Sequence, residues 1–190
     1  MNVPKLNEKT RSRVKNSVVI VAMAVALVGA WEGLRTKVYR DAVGVPTICY
    51  GETRGITMRT APKSVAKCKE MLGDGLVDFE LGIRKCLKRP DQIPDKSYTA
   101  FISLAYNIGK HGFCRSSVAR YLNAEPKPNV TRACQRIKAF NKAGGRVLSG
   151  LVRRRNEEYK LCMEGVREGV VTGIVTGDDQ GYTPPTKFNR

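Results

Sequence analysis

The sequence predicts an α+β fold, mainly α, in which a small β-hairpin element stands beside a helical lobe. Three observations carry that expectation. Most of the chain between residues 62 and 163 repeats its apolar side chains with a helical period. One stretch, 38–57, instead sets β-branched and aromatic residues between Gly44, Pro46, Gly51 and Gly55. The 190 residues suffice for one ordinary domain with short extras, not for two. At 42% hydrophobic and 27% charged, the chain belongs to the soluble globular class and not to the collagen-like, low-complexity or multi-span membrane classes.

Lys5, Lys9, Arg11, Arg13 and Lys15 precede an unbroken, weakly apolar run from Val18 to Trp31. A basic stretch before an apolar one is the pattern of an export signal. As a helix, the run spans roughly 21 Å, short of the ~30 Å hydrocarbon core of a bilayer. Three readings stand open here: a cleaved signal with a small-residue site at Val28-Gly29-Ala30, a buried core helix, or a marginal anchor that inserts and later leaves. The helix is expected to continue through Glu32 towards Lys37.

Residues 38–57 read as a hairpin or three-stranded β element. Pro62 opens a long helix to about Leu87. Pro90 and Pro94 bracket a turn, and residues 95–108 form a helix stopped by Gly109. A short helix spans 115–123, Asn129 caps another to about Phe140, and Gly144-Gly145 makes a loop. A last helix runs from about Gly150 to Met163. From Gly165 the composition reads as a flexible tail. The expected division is therefore 1–31 as a basic, apolar N-terminal segment, 32–164 as the folded domain, and 165–190 as the tail.

A net charge of +17 calls for a polyanionic partner: nucleic acid, an anionic membrane face, or an acidic polymer such as cell-wall glycan. The six cysteines are even in number, well spread and free of CxxC. That favours disulfides in an oxidising compartment over a zinc ribbon or thioredoxin chemistry. His111 is the single histidine, expected at the surface or lining a substrate cleft. No metal site and no cofactor are expected.

The chemistry sits in residues 31–53. Glu32 closes a helix, Asp41 lies in the β element, and Thr47 follows six residues later. Two carboxylates on different elements can face one sugar from opposite sides, as glycoside hydrolysis requires, and a threonine hydroxyl beside them can hold a water. The spacing alone also fits an Asp that caps a turn and a Glu in solvent. Tyr39, Tyr50 and Tyr106 can stack on sugars or pack in the core.

The stretch W-E-G…Y-R-D-x-x-G-x-x-T-x-C-Y-G-x-T resembles the lysozyme-type endolysins of phages, glycoside hydrolase family 24. Tyr106-Asn107-Ile108-Gly109 and Ala143-Gly144-Gly145 followed by Gly150-Leu151-x-x-Arg154-Arg155-x-x-Glu158 resemble further blocks of that family, in the same order, so the likeness covers about residues 31–163. The basic N-terminus and weak apolar run are similar to those of lambdoid-phage endolysins with a signal-anchor-release segment.

The resemblance implies a lysozyme-like fold and host lysis by hydrolysis of the β-1,4 bond between N-acetylmuramic acid and N-acetylglucosamine in peptidoglycan. It implies Glu32 as general acid, Asp41 as general base acting through water, and Thr47 as the hydroxyl that positions the water, with inversion at the anomeric carbon. It places an arginine near Glu32, for which Arg154 and Arg155 are the candidates; of the three tyrosines, Tyr50 is the one expected beside the substrate. It implies the disulfides Cys86–Cys114 and Cys134–Cys162, and leaves Cys49 with Cys68. The sequence departs from the family at Glu52, where many members carry His.

Cleavage after Ala30 would leave Glu32 second in the mature chain, where termini fray. A catalytic acid must be held far more tightly, so retention of the segment is expected. The expected protein is then a monomer held in the host inner membrane facing the periplasm through residues 18–31, inactive there, and active in the periplasm once released. Nucleic-acid binding would explain the charge, but no recognised motif accompanies it, and no nucleic-acid partner is expected. A lytic transglycosylase, or a non-catalytic basic protein that binds the wall or disrupts membranes, is the competing expectation.

Overall fold

The computed structural model describes residues 12–41 and 43–171. Lys5, Lys9 and Arg11 of the basic N-terminus, and the expected tail from residue 172 onward, lie outside the described residues.

Helix α1 (Arg13–Asn16) leads into α2 (Val18–Glu32). The Ser17 hydroxyl caps α2 by accepting from the Ile20 amide at 3.3 Å. Although α2 is apolar all round, only the stripe Ile20, Ala24 and Val28 is fully buried. The helix stops at Glu32 because Gly33 turns the chain with φ of +68°, and the residues expected to prolong it form strand β1 (Arg35–Arg40) instead. Strand β2 (Pro46–Cys49) pairs antiparallel with β1, setting Tyr39 opposite Thr47 and Arg40 opposite Pro46. The hairpin thus starts earlier than the sequence indicated, and among the described residues only an isolated Ile48–Glu52 bridge extends its pairing.

Helix α3 (Val65–Arg84) begins at a Ser64 cap, where the hydroxyl accepts from the Lys67 amide at 3.1 Å, and not at Pro62. A short 3₁₀ turn (Pro90–Gln92) leads to α4 (Asp95–Ile108), the central helix of the lobe, whose residues Ser97 to Ala105 are all buried. Gly109 ends it with φ of +80°. Helix α5 (Lys110–Cys114) follows at once, ahead of the short helix expected from residue 115, and His111 stands exposed on it. Helices α6 (Ser117–Leu122) and α7 (Val130–Ile137) come next, the latter capped by the Asn129 side chain on the Arg132 amide at 2.9 Å.

Gly144 and Gly145, both at positive φ, turn a two-residue hairpin between β3 (Lys142–Ala143) and β4 (Arg146–Val147). Helix α8 (Ser149–Val171) runs through Gly165, where a tail was expected, because Cys162, Met163 and Val166 pack into the core. Among the described residues no helix is long and apolar enough to cross a membrane.

Three disulfides brace this arrangement. Cys49–Cys68 ties the hairpin to α3, Cys86–Cys114 ties the end of α3 to α5, and Cys134–Cys162 ties α7 to α8.

Candidate active site

Glu32 occupies the last turn of α2, and its Oε1 accepts from Nη1 of Arg154 at 2.6 Å. Of the two arginines proposed from the sequence, Arg154 is therefore the one that reaches Glu32. Arg154 is itself fixed. Its Nε donates to Glu158 Oε1 at 3.2 Å and its Nη2 to the Ser103 carbonyl at 3.3 Å. Arg155 is fully buried and turns to Glu158 instead, donating from Nη2 at 2.9 Å.

The Glu158 carboxylate lies wholly inside the lobe and also accepts from the Ser103 hydroxyl at 2.6 Å. Burial pushes its carboxyl above the ordinary carboxylate range, while Arg155, Ser103 and Arg154 pull it back. Burial likewise lowers the Arg155 guanidinium. The result is a rigid guanidinium rod, anchored on α4 and α8, whose tip holds the Glu32 carboxylate.

The hairpin supplies the other two residues. Asp41 sits at its tip, and Oδ1 accepts from the amides of Val43 at 3.0 Å and Val45 at 2.9 Å. The Asp41 amide in turn donates to the Val45 carbonyl at 3.0 Å, so the turn is closed from both directions. This is an Asx turn, which holds one carboxylate oxygen in place. Thr47 is buried on β2, and its hydroxyl donates to the Val45 carbonyl at 2.9 Å, leaving the oxygen's lone pairs as acceptors.

Tyr106 joins the hairpin to the lobe. Its hydroxyl donates to the Tyr50 carbonyl at 3.1 Å, and its ring lies 4.8 Å from that of Phe79. Burial, together with the negative charges of Glu32 and Glu52, pushes its phenol up to about 12. Glu52 is held by Arg54, which reaches both carboxylate oxygens at 3.1 Å. Burial works to raise the Glu52 carboxyl, but the Arg54 bonds outweigh it and hold it below the ordinary range.

Of the aromatic candidates, Tyr50 is buried with its ring against α2 at Gly29, and Tyr39 lies half-buried under the Arg35 guanidinium at 4.4 Å. His111 lines a separate surface pocket of about 550 Å³ with Asp78, Lys85, Lys110 and the Cys86–Cys114 bridge. Among the described residues no group of three or more His, Cys, Asp and Glu side chains is placed to hold a metal ion. Ser103 was not foreseen in the sequence; a hydroxyl inside an apolar helical run was the signal available for it.

A small hairpin carrying Asp41 and Thr47 stands beside a helical lobe that carries an arginine-held Glu32, and comparison with known proteins assigns this fold to the lysozyme-type hydrolases. The chain belongs to the phage lysozyme family, whose profile, described as phage lysozyme, matches residues 29–158. It is 34% identical over 134 residues to the "SAR-endolysin" of Bacteriophage PS119, covering 70% of this chain and 77% of that one. It is 36% identical over 151 residues to the "SAR-endolysin" of Pseudomonas phage phiKMV, covering 75% and 89% respectively. Among solved structures it is similar to a P22 lysozyme variant, at 30% identity and a TM-score of 0.64, over 74% of this chain and 94% of that one. The fold is that of the phage lysozymes, and the activity class is that of a phage endolysin.

Proposed function

We propose that this endolysin cleaves the β-1,4 bond between N-acetylmuramic acid and N-acetylglucosamine in peptidoglycan, as an N-acetylmuramidase, with Glu32, Asp41 and Thr47 as its catalytic residues. The observation that carries this reading is the Glu32–Arg154 contact, which fixes a carboxyl at the end of α2, directly before the hairpin strand β1. Glu32 protonates the leaving oxygen. Asp41, steadied through Oδ1 by the turn amides, uses Oδ2 to take a proton from water on the opposite side of the sugar. The Thr47 hydroxyl, oriented by the Val45 carbonyl, accepts from that water and aims it. Arg154 acts through Glu32 as a positioning residue.

The same reading includes export in a tethered, inactive form. The α2 stripe that carries Glu32 into the site is buried against the lobe, and a bilayer holding residues 18–31 would withhold Glu32 from Asp41 and Thr47. Release into the periplasm as a monomer then completes the site. The test is turbidity loss of outer-membrane-permeabilised Gram-negative cells with wild type and Glu32→Gln. Clearing by wild type alone, with hydrolytic rather than anhydro muropeptides released, is the expected result. Anhydro products would assign a lytic transglycosylase. Equal clearing by both proteins would remove Glu32 from the chemistry, and equal activity in energised, intact vesicles would remove the tether from the control.

A further inference from the structure

A buried carboxylate that the proposed chemistry does not use lies at the far end of α2. Glu80, on α3, has no solvent exposure. Three of the hydrogen bonds it accepts come from residues 66 to 68 positions earlier in the chain: the Ser12 hydroxyl at 2.5 Å, the Arg13 amide at 2.7 Å and the Val14 amide at 3.1 Å. The Tyr98 hydroxyl adds a fourth at 3.2 Å. The Arg13 guanidinium lies 4.4 Å above the Tyr98 ring, donates to the carbonyls of Pro90 at 2.9 Å and Ile93 at 2.8 Å, and pairs with Asp95. Val14 is 1% exposed and belongs to the hydrophobic core.

Four polar groups of this short segment thus meet partners of matching character: two amides and a hydroxyl on a buried carboxylate, and a guanidinium on two carbonyls and a carboxylate. Arg84, one turn on along α3 and equally buried, lies 3.7 Å from Glu80 and stays beside it with Tyr98 whether or not the segment is docked. Leaving the slot empty is still costly, because it removes three of the donors that compensate the desolvation of the carboxylate. We infer that the Glu80 slot is an intramolecular docking site for the basic segment Ser12-Arg13-Val14, and that its occupancy holds α2 in register and thereby positions Glu32. Glu80 and Arg13 are positioning residues acting through α2, which starts at the Ser17 cap directly after the docked segment's helix and ends at Glu32.

The link to activation rests on the tethered-export reading. The segment precedes α2, so a bilayer holding α2 keeps Ser12 to Val14 on the side opposite the lobe, and the slot is open only to a released chain. Docking then makes release directional, since re-insertion would have to strip Glu80 of these donors.

The test uses full-length, oxidised protein as wild type, Arg13→Ala, Arg13→Lys and Glu80→Gln, followed by hydrogen exchange and by wall hydrolysis. Arg13→Ala leaves the buried carboxylate in place and bears on the segment alone. Its peptides covering Val18–Glu32 are expected to exchange at least about ten-fold faster while α4 and α8 stay protected. Its kcat falls about ten-fold at little-changed KM. Arg13→Lys, keeping the charge but not the fork to two carbonyls, falls between. Glu80→Gln gives the same pattern with a larger exchange effect. Exchange and kcat of Arg13→Ala within about two-fold of wild type would overturn the inference. Faster exchange with unchanged kcat would overturn the positioning of Glu32. A wild type that exchanges as expected yet leaves walls intact would instead refute the muramidase reading and leave the docking site standing.

Discussion

Gly165 lies in the middle of α8 where that helix crosses α4. A Cβ built there would sit 2.5 Å from both the Ser97 amide nitrogen and its Oγ, and 3.1 Å from Lys96 Cβ. Ordinary contacts at these atoms are about 3.5 Å, so the two helices must part by roughly 1 Å to admit one methyl. Two terms oppose each other on Gly165→Ala. Helix propensity favours alanine by about 1 kcal/mol. Overpacking costs about 1–3 kcal/mol, and forcing Ser97 away endangers its buried 2.7 Å bond to the Cys162 carbonyl, worth a further ~1–3 kcal/mol if both groups are left unsatisfied. Packing wins, and the variant is expected to be less stable by about 1–5 kcal/mol, a fall in Tm of roughly 2–4 °C per kcal/mol. Gly150→Ala is the matched control, because nothing lies within 4 Å of a Cβ there and only the propensity gain remains. Urea and thermal unfolding followed by circular dichroism measure both. A Gly165→Ala protein as stable as wild type, or stabilised like the control, would show that the α4–α8 contact is looser than described.

Replacing Cys134 and Cys162 by Ala opens a loop with a sequence separation of 28; chain entropy then predicts a loss of about 3.6 kcal/mol, read from the urea midpoint, and no loss would place the stabilisation elsewhere. Glu158→Gln leaves Arg154 and Arg155 buried against a neutral amide, so a loss of about 3–5 kcal/mol is expected, with lowered wall hydrolysis as Arg154 drifts from Glu32; unaltered stability would mean that water replaces the carboxylate. The Tyr106 phenol, raised by burial and by Glu32 and Glu52, should be missing from the absorbance titration of tyrosines near pH 10 and emerge only towards about 12. A raised folded value contributes stability fully present below pH 10 and lost as pH rises through about 12, so Tyr106→Phe should flatten that loss in alkaline unfolding curves, and an identical curve would refute the assignment.

The sequence was most readable where punctuation is strong. Pro94 and Gly109 bound α4, and Asn129 marks the start of α7, because fixed φ, left-handed backbone and side-chain capping are local properties. It was least readable where tertiary contacts override local preference. The apolar run gives no stop before Gly33, while β1 needs β2 to form. Residues 110–114 are too short, with Gly112 inside, to show a period, and the Cys86–Cys114 bridge and the lobe hold them helical. Gly165 lowered the expected length of α8, yet it is the residue that lets α8 approach α4. In the site, the family resemblance narrowed the partner of Glu32 to two adjacent arginines, and only the helix phase set by Glu158 and Ser103 chose Arg154. The Glu80 slot left one trace: a carboxylate in the stripe formed by Leu72, Leu76 and Ile83, where an apolar residue belongs. Its partners, more than sixty residues away, were invisible to any local pattern.

Helix α2 carries more greasiness than its packing consumes. Ile20, Ala24 and Val28 meet the lobe, yet Val18 is 83% and Val19 62% exposed, and Ala22, Ala26 and Ala30 also face outward. Folding alone would accept Lys or Gln at those positions and gain solubility from the change. A bare apolar face is what the proposed tethered export asks of this helix, and it is separate from the stripe that folding uses within the same fifteen residues. A protein engineer can exploit that separation, since polar replacements on the bare face should rewrite where the chain resides without rewriting what it folds into.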